Sequence, residues 1–165
     1  MPAKLELATP EDAPALAALH IAVAQDLTAK FGNGPWSGNT TERGVLFNMR
    51  NGSVYVLRKR KKPIATLTLA TRKPWAIDRK YFSNSRRPLY LTSMAVAPDL
   101  QRQGIGRLCI EQAAKLVKKW PGDAIRLDAY DAKAGAGEFY RQCGFREVGR
   151  AVYRNTPLIY YEMIM

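Results

Sequence analysis

The sequence predicts an α/β fold, a mixed sheet with helices on both faces, because segments of strand period and of helix period alternate along it. Its 165 residues are 47% hydrophobic, enough to give one domain spanning 1–165 a substantial core. The third observation is a glycine-pinched loop, Gln101-Arg-Gln-Gly-Ile-Gly-Arg107, set between an apolar strand and a long amphipathic helix.

Residues 4–8 alternate as a short strand. Thr9-Pro10-Glu11-Asp12 then reads as a helix start, with a threonine cap, proline at the first position and acids in the first turn. Leu16, Leu19, His20 and Val23 carry that helix on, with His20 in its packing or at its rim. Residues 31–38, with three glycines and Trp36, form a loop that serves as a lid or as a plain connector, and 40–48 form a second short helix. Ser53–Arg58 and Pro63–Ala70 are strand-like runs around the Arg58–Lys62 charge cluster, a hairpin with a solvated basic turn. Residues 72–88 make a long irregular stretch holding Trp75, Tyr81 and Phe82.

Leu89–Val96 returns to strand. Gly104–Trp120 is a helix with Ile105, Leu108, Cys109, Gln112, Ala113, Leu116, Val117 and Trp120 marking one face, and Pro121-Gly122 ends it. Ala124–Tyr130 is a strand, Gly135–Cys143 a helix stopped by Gly144, and Arg146–Tyr153 and Leu158–Ile164 are two final strands. The predicted order is β-α-α-β-β-β-α-β-α-β-β.

Composition removes several functional classes. No apolar run approaches the roughly eighteen residues of a membrane span, and the N-terminus lacks a signal-peptide core. The two cysteines, Cys109 and Cys143, lie inside apolar patterns and read as reduced core thiols of a cytoplasmic protein. A single histidine leaves no zinc cluster, and His20 lies mid-helix without a serine signature, so a catalytic triad is not supported. The net charge of +12 points to an anionic partner. Its basic residues fall in turns and form no helical stripe, which argues against nucleic acid as the main partner.

The glycine loop indicates which anion. At a helix start the amides of Gln103 to Gly106 lack intrahelical partners, and the helix dipole favours negative charge there. Gly104 and Gly106 remove the Cβ atoms that would hold a ligand off the backbone, and Arg102 and Arg107 add positive charge. A P-loop would need Lys-Ser/Thr after its second glycine, which is absent. A dinucleotide loop would need a third glycine where Cys109 stands, although Asp128 lies at about the spacing of a ribose-binding acid.

The run Met94-Ala-Val-Ala-Pro-Asp-Leu-Gln-Arg-Gln-Gly-Ile-Gly-Arg-Leu108 resembles the acetyl-CoA-binding motif of the GCN5-related N-acetyltransferases, Q/R-x-x-G-x-G/A after a V-x-P strand end. Gln101, Gly104 and Gly106 fill its defining positions. Phe139-Tyr-Arg-Gln-Cys-Gly-Phe145 is similar to the family's FYxxxGF signature, in the right order downstream. The resemblance implies a mixed, mostly antiparallel sheet of about six to seven strands flanked by about four helices, with acyl-CoA held between central strands. It implies acetyl-CoA as co-substrate, no metal, and an amine-bearing small molecule or peptide as acceptor. Residues Gln101, Arg102, Gln103, Gly104, Ile105, Gly106 and Arg107 would then surround the pyrophosphate, with Met94, Ala95 and Val96 along the pantetheine arm.

In such an enzyme a neutral amine attacks the thioester directly. Tyr140 matches the family's tyrosine acid, and a phenol of pKa about 10 suits donation to a thiolate whose thiol has a pKa of about 8.5. A backbone N–H near Met94–Val96 would serve the oxyanion. The chain departs from the family's pattern in two places. Many relatives carry a glutamate base in the strand before the loop, where this chain has Leu91, Thr92 and Ser93. The base is then water relayed through Thr92 or Ser93, with Asp128 and Glu162 ranked below it. Lys133 stands where many relatives place an asparagine, so it would reach a CoA phosphate instead. Cys143, inside FYRQCGF, reads as packing and not as an acyl carrier.

Two other readings stand beside this one. A catalytically weak module of the same fold would use the basic surface to bind nucleic acid or a protein partner, and an acyltransferase acting on oxygen or with a longer chain would share the loop. A homodimer is the general expectation for a soluble domain.

Overall fold

The computed structural model describes residues 3–38 and 40–165. Its elements are β1 (Glu6–Leu7), α1 (Ala13–Phe31), α2 (Glu42–Asn51), β2 (Ser53–Lys59), β3 (Lys62–Ala70), β4 (Pro88–Val96), α3 (Ile105–Lys119), β5 (Ala124–Tyr130), α4 (Gly137–Gln142), β6 (Arg146–Tyr153) and β7 (Thr156–Ile164). The order is the one the sequence predicts. The strands form a seven-stranded sheet in the order β1-β2-β3-β4-β5-β7-β6. β4 and β5 are parallel, while β1/β2, β2/β3, β5/β7 and β6/β7 are antiparallel. The chain folds as two compact units, residues 1–70 with 92–113, and residues 71–91 with 114–165.

In the first unit, Thr9 and Asp12 cap the entry to α1. The Thr9 amide donates to the Asp12 carboxylate at 2.9 Å, and the Asp12 amide donates to the Thr9 carbonyl at 2.9 Å. Arg58 holds the same carboxylate at 2.7 Å. Leu16, Ala17 and Leu19 of α1 pack with Val45 of α2, Val54 and Val56 of β2 and Ala95 of β4, one apolar stripe closing on a pleated face. His20 lies half-buried on α1, and burial lowers its pKa, in line with a packing role. Trp36 folds back on α1, its indole donating to Thr28 at 3.1 Å, which makes 31–38 an anchored connector. The β2–β3 hairpin turns on Arg60 and Lys61, both left-handed at φ +50° and +67°, as a two-residue type I′ turn requires.

In the second unit, β7 runs between β5 and β6 and buries Tyr160 and Tyr161 on opposite faces. The 71–87 segment is not a slack loop. Ile77 packs with Tyr90 and Tyr160, and the Tyr160 hydroxyl donates to the Ala76 carbonyl. The Asp123 carboxylate accepts from the Ser85 hydroxyl and from the Arg86 and Arg87 amides, the latter two at 2.9 and 3.0 Å. Tyr81 sits against Gly149, where the β6–β7 register shifts. A Cβ on Gly149 would lie 2.4 Å from the Tyr81 ring, which is itself packed 5.4 Å from Tyr160. Gly149→Ala should therefore cost about 1–3 kcal/mol by overpacking. Urea denaturation checks this, and a change below about 0.5 kcal/mol would show that the ring moves freely.

Helix α4 is shorter than the sequence suggests, starting at Gly137 and not Gly135. Gly135 belongs to a turn in which a Cβ would lie 1.8 Å from the Tyr130 carbonyl oxygen. Both cysteines are free, Cys109 in the core and Cys143 half-buried. No described helix is long and apolar enough to cross a membrane.

Candidate active site

The first unit contains the glycine loop, residues 101–107. β4 is extended up to Ser93, which sits at φ +51° and is exposed. A left-handed residue inside a strand breaks the regular ladder and re-aims the neighbouring peptide groups. Thr92 and Met94 flank it half-buried, Ala95 points into the core, and Val96 is half-buried. The chain then makes a short turn, Pro98–Leu100, and a loop that its own side chains tie together. The Gln101 side-chain amide donates to the Val96 carbonyl at 3.0 Å, and that of Gln103 donates to the Asp99 carbonyl at 3.3 Å. Gln101 thus shapes the loop from within.

Arg102 at φ +61° and Gly104 at φ +83° then reverse the chain into α3. The Leu108 amide donates to the Gly104 carbonyl at 3.0 Å. By helix geometry the amides of Ile105, Gly106 and Arg107 precede that bond and have no carbonyl one turn back. Beyond its own chain neighbours, no atom lies within 4 Å of where a Gly104 Cβ would be, so the space in front of this residue is open. Arg107 lies exposed beside Glu111 at 3.5 Å. The result is a helix start with amide donors, glycine at the point of approach and arginines at its rim, which suits a diphosphate.

Tyr140 lies in the second unit. On α4 it is buried, its ring edge-on to Phe139 and Phe145 at 5.2 and 5.6 Å and tilted to Tyr161 at 6.2 Å. Burial pushes the Tyr140 phenol well above its ordinary value, and the charges of Asp128 and Cys143 add to this. The hydroxyl therefore keeps its proton at any working pH, which an acid requires. It is also a weaker acid than free tyrosine. Lys133 lies exposed in the turn after β5.

Two carboxylates ranked low from sequence turn out to differ sharply. Glu162 is buried and fully engaged: Arg126 donates to it at 2.8 Å and the Ser83 amide at 3.0 Å. It is not available as a base. Asp128 is half-buried, and burial raises its carboxyl above the ordinary value. No side chain donates to it among the described residues. The sequence carried a weak signal of this, an arginine and an aspartate two apart in a strand, but only the strand register shows which of them is neutralised. Burial pushes the Cys109 thiol up to about 11, which makes it inert as a nucleophile. Among the described residues no three His, Cys, Asp or Glu side chains are grouped as metal ligands.

Residues 21–145 match the family model described as Acetyltransferase (GNAT) family. No curated protein sequence matches the chain. Among solved structures, an acetyltransferase of the GNAT family from Listeria monocytogenes is similar in fold, with TM-score 0.76 at 17% identity over 99% of this chain and 95% of that one. The ribosomal-protein-S18-alanine N-acetyltransferase of Escherichia coli has TM-score 0.71 at 17% identity, over 99% and 94% of the two chains. The PaiA N-acetyltransferase of Thermoplasma acidophilum, solved with coenzyme A, has TM-score 0.73 at 14% identity, over 99% and 100%.

Proposed function

The chain belongs to the GNAT acetyltransferase family and is an acetyl-CoA-dependent N-acetyltransferase, and from that premise we propose which residues carry the reaction and on what acceptor. Residues 1–165 act as one cytoplasmic catalytic domain that transfers the acetyl group to a primary amine of a small molecule or peptide by direct attack. A peptide amine is included in line with one structural neighbour, named a ribosomal-protein-S18-alanine N-acetyltransferase. The observation that carries the donor half is the start of α3, with Gly104 open and left-handed ahead of unpaired helix amides.

In this reading the amides of Gln103, Gly104, Ile105, Gly106 and Arg107 hold the pyrophosphate, with Arg102 and Arg107 supplying charge and Gln101 bracing the loop. Met94, Ala95 and Val96 run beside the pantetheine, and a peptide N–H near Met94–Val96 stabilises the oxyanion. Thr92 and Ser93 order water on the acceptor side. Lys133 contributes charge toward a CoA phosphate. Tyr140 protonates the departing thiolate.

Release of free thiol from acetyl-CoA, screened over an amine and peptide panel, tests the reading. Tyr140→Phe should lower kcat by about 100-fold while the KM for acetyl-CoA changes by less than about twofold. If kcat is unchanged, Tyr140 is a packing residue only. Failure of the wild-type protein to bind either acetyl-CoA or CoA would overturn the donor half.

A further inference from the structure

Residues 71–87 hold six basic residues and one acid, Asp78, a net +5 of the chain's +12. The basic residues come as three adjacent pairs seven positions apart, Arg72-Lys73, Arg79-Lys80 and Arg86-Arg87. In the sequence they fall in separate turns; the fold holds all three pairs on one anchored strap of the second unit. Asp78 is taken by Lys80 at 3.5 Å, and Asp123 accepts from the Ser85 hydroxyl and the Arg86 and Arg87 amides. Among the described residues no acid pairs with the guanidinium of Arg72, Arg79, Arg86 or Arg87, and all four are exposed.

The same strap carries Trp75, 83% exposed in a turn that the Ile77 amide closes on the Pro74 carbonyl at 3.2 Å. A tryptophan held this open gives up the burial that usually justifies its size. Among the described residues no ring or cation stacks on it. Its backbone is fixed all the same. Ile77 is buried with Tyr90 and Tyr160, the Tyr160 hydroxyl donates to the Ala76 carbonyl, and Arg126 holds the Ser83 carbonyl at 2.7 Å. Ala76 therefore sits at Tyr160, the register partner of Asp128, while Arg87 sits at Asp123, five residues and roughly 16 Å along the sheet. The Asp123 amide donates to the Arg87 carbonyl at 3.1 Å, which brings in the end of α3, where Lys118, Lys119 and a half-exposed Trp120 face solvent.

We infer that this strap, extended by the end of α3, is a docking strip for single-stranded nucleic acid, with its basic pairs on successive phosphates and Trp75 stacked on a base. The surface lies beyond the acetyl-transfer reading and does not depend on it. Cations spread over roughly 16 Å suit a chain of phosphates better than one compact anion. An unstacked indole among them suits a base, and because every base has a π-face the recognition is tolerant of sequence. The strap is already ordered, so binding does not have to order it. An anionic membrane would need apolar area to insert, and the strap offers one ring: Ile77 is buried, and Tyr81 and Phe82 pack on Tyr160 at 5.4 Å each.

Fluorescence anisotropy with a labelled oligouridine dodecamer reads the binding. The wild-type protein should bind it with a dissociation constant on the order of 10 μM at about 50 mM salt, and about tenfold or more weaker at about 200 mM, as about three neutralised phosphates require. Trp75→Ala should weaken oligouridine binding about tenfold and leave heparin, which has the charge but no bases, within about twofold. The double variant Arg72→Gln with Arg79→Gln should weaken both and lower the slope of log affinity against log salt by about 1 to 1.5. All three side chains are exposed, so these variants should keep Tm within about 2 °C and acetyl-CoA affinity within about twofold.

Three results would each overturn the assignment: no oligouridine binding at low salt, equal losses on oligouridine and heparin in Trp75→Ala, or an unchanged salt slope in the double arginine variant. Binding to phosphatidylserine vesicles without binding to oligouridine would give the strap to a membrane instead. Tighter binding to a duplex of the same length, indifferent to Trp75→Ala, would remove the stacked base and the assignment with it. Acetyl transfer, present or absent, moves none of these readouts.

Discussion

Gly104→Glu should raise the dissociation constant for acetyl-CoA by about 100-fold or more, with little change in folded structure. Two effects act together. The residue sits at φ +83°, where an L side chain costs about 1–2 kcal/mol. The new carboxylate would also face the proposed phosphate position. At an effective dielectric of about 20, two unit charges about 5 Å apart repel by about 3 kcal/mol, which alone is about a hundredfold in affinity. Gly104→Ala separates the two effects. Nothing lies within 4 Å of its Cβ, so alanine carries only the backbone strain and should weaken binding far less. Isothermal titration with acetyl-CoA and with CoA reads both variants. Near wild-type affinity in the Glu variant would mean that the pyrophosphate is held elsewhere.

Arg126→Ala should be the most destabilising single change in the second unit, costing about 3–5 kcal/mol. The guanidinium is buried and donates to Glu162, to the Tyr90 hydroxyl at 3.2 Å and to the Ser83 carbonyl, and lies over the Phe82 ring at 5.1 Å. Truncation leaves Glu162 buried with its charge uncompensated and cuts one tether of the 71–87 segment. The double variant Arg126→Met with Glu162→Leu should recover much of the loss, because replacing a buried pair with packed apolar groups removes both desolvation costs. Urea midpoints at constant slope measure this. A loss below about 1 kcal/mol in the single variant would show that water reaches Glu162.

The comparison of the two acids shows what was legible in the residues. Arg126, Asp128 and Glu162 look alike in sequence, as charges scattered in apolar strands. Glu162 was as good a candidate base as Asp128 until the β5–β7 register paired it with Arg126 and left Asp128 facing Tyr160. The loop behaves differently. Gly104 and the preceding Val96-Ala-Pro98 announce their conformation locally, because glycine takes the left-handed turn cheaply and proline ends the strand. Even there, the inward role of Gln101 and the left-handed Ser93 in mid-strand carried no local signal. The long 72–88 stretch was legible as unusual, but its anchors, Asp123, Glu162 and Tyr160, lie far along the chain.

By itself the sequence determined the order of the eleven helices and strands, the glycine-led start of α3 and the family, all of which depend on residues within a few positions of one another. Periodicity, turn preference and helix-end chemistry act at that range. Which carboxylate is neutralised and which stands free, and how tightly a tyrosine holds its proton, were decided only by tertiary structure. Burial and charge pairing act through space, and the strand register that sets them joins residues some thirty-odd positions apart, as it does Asp128 and Tyr160.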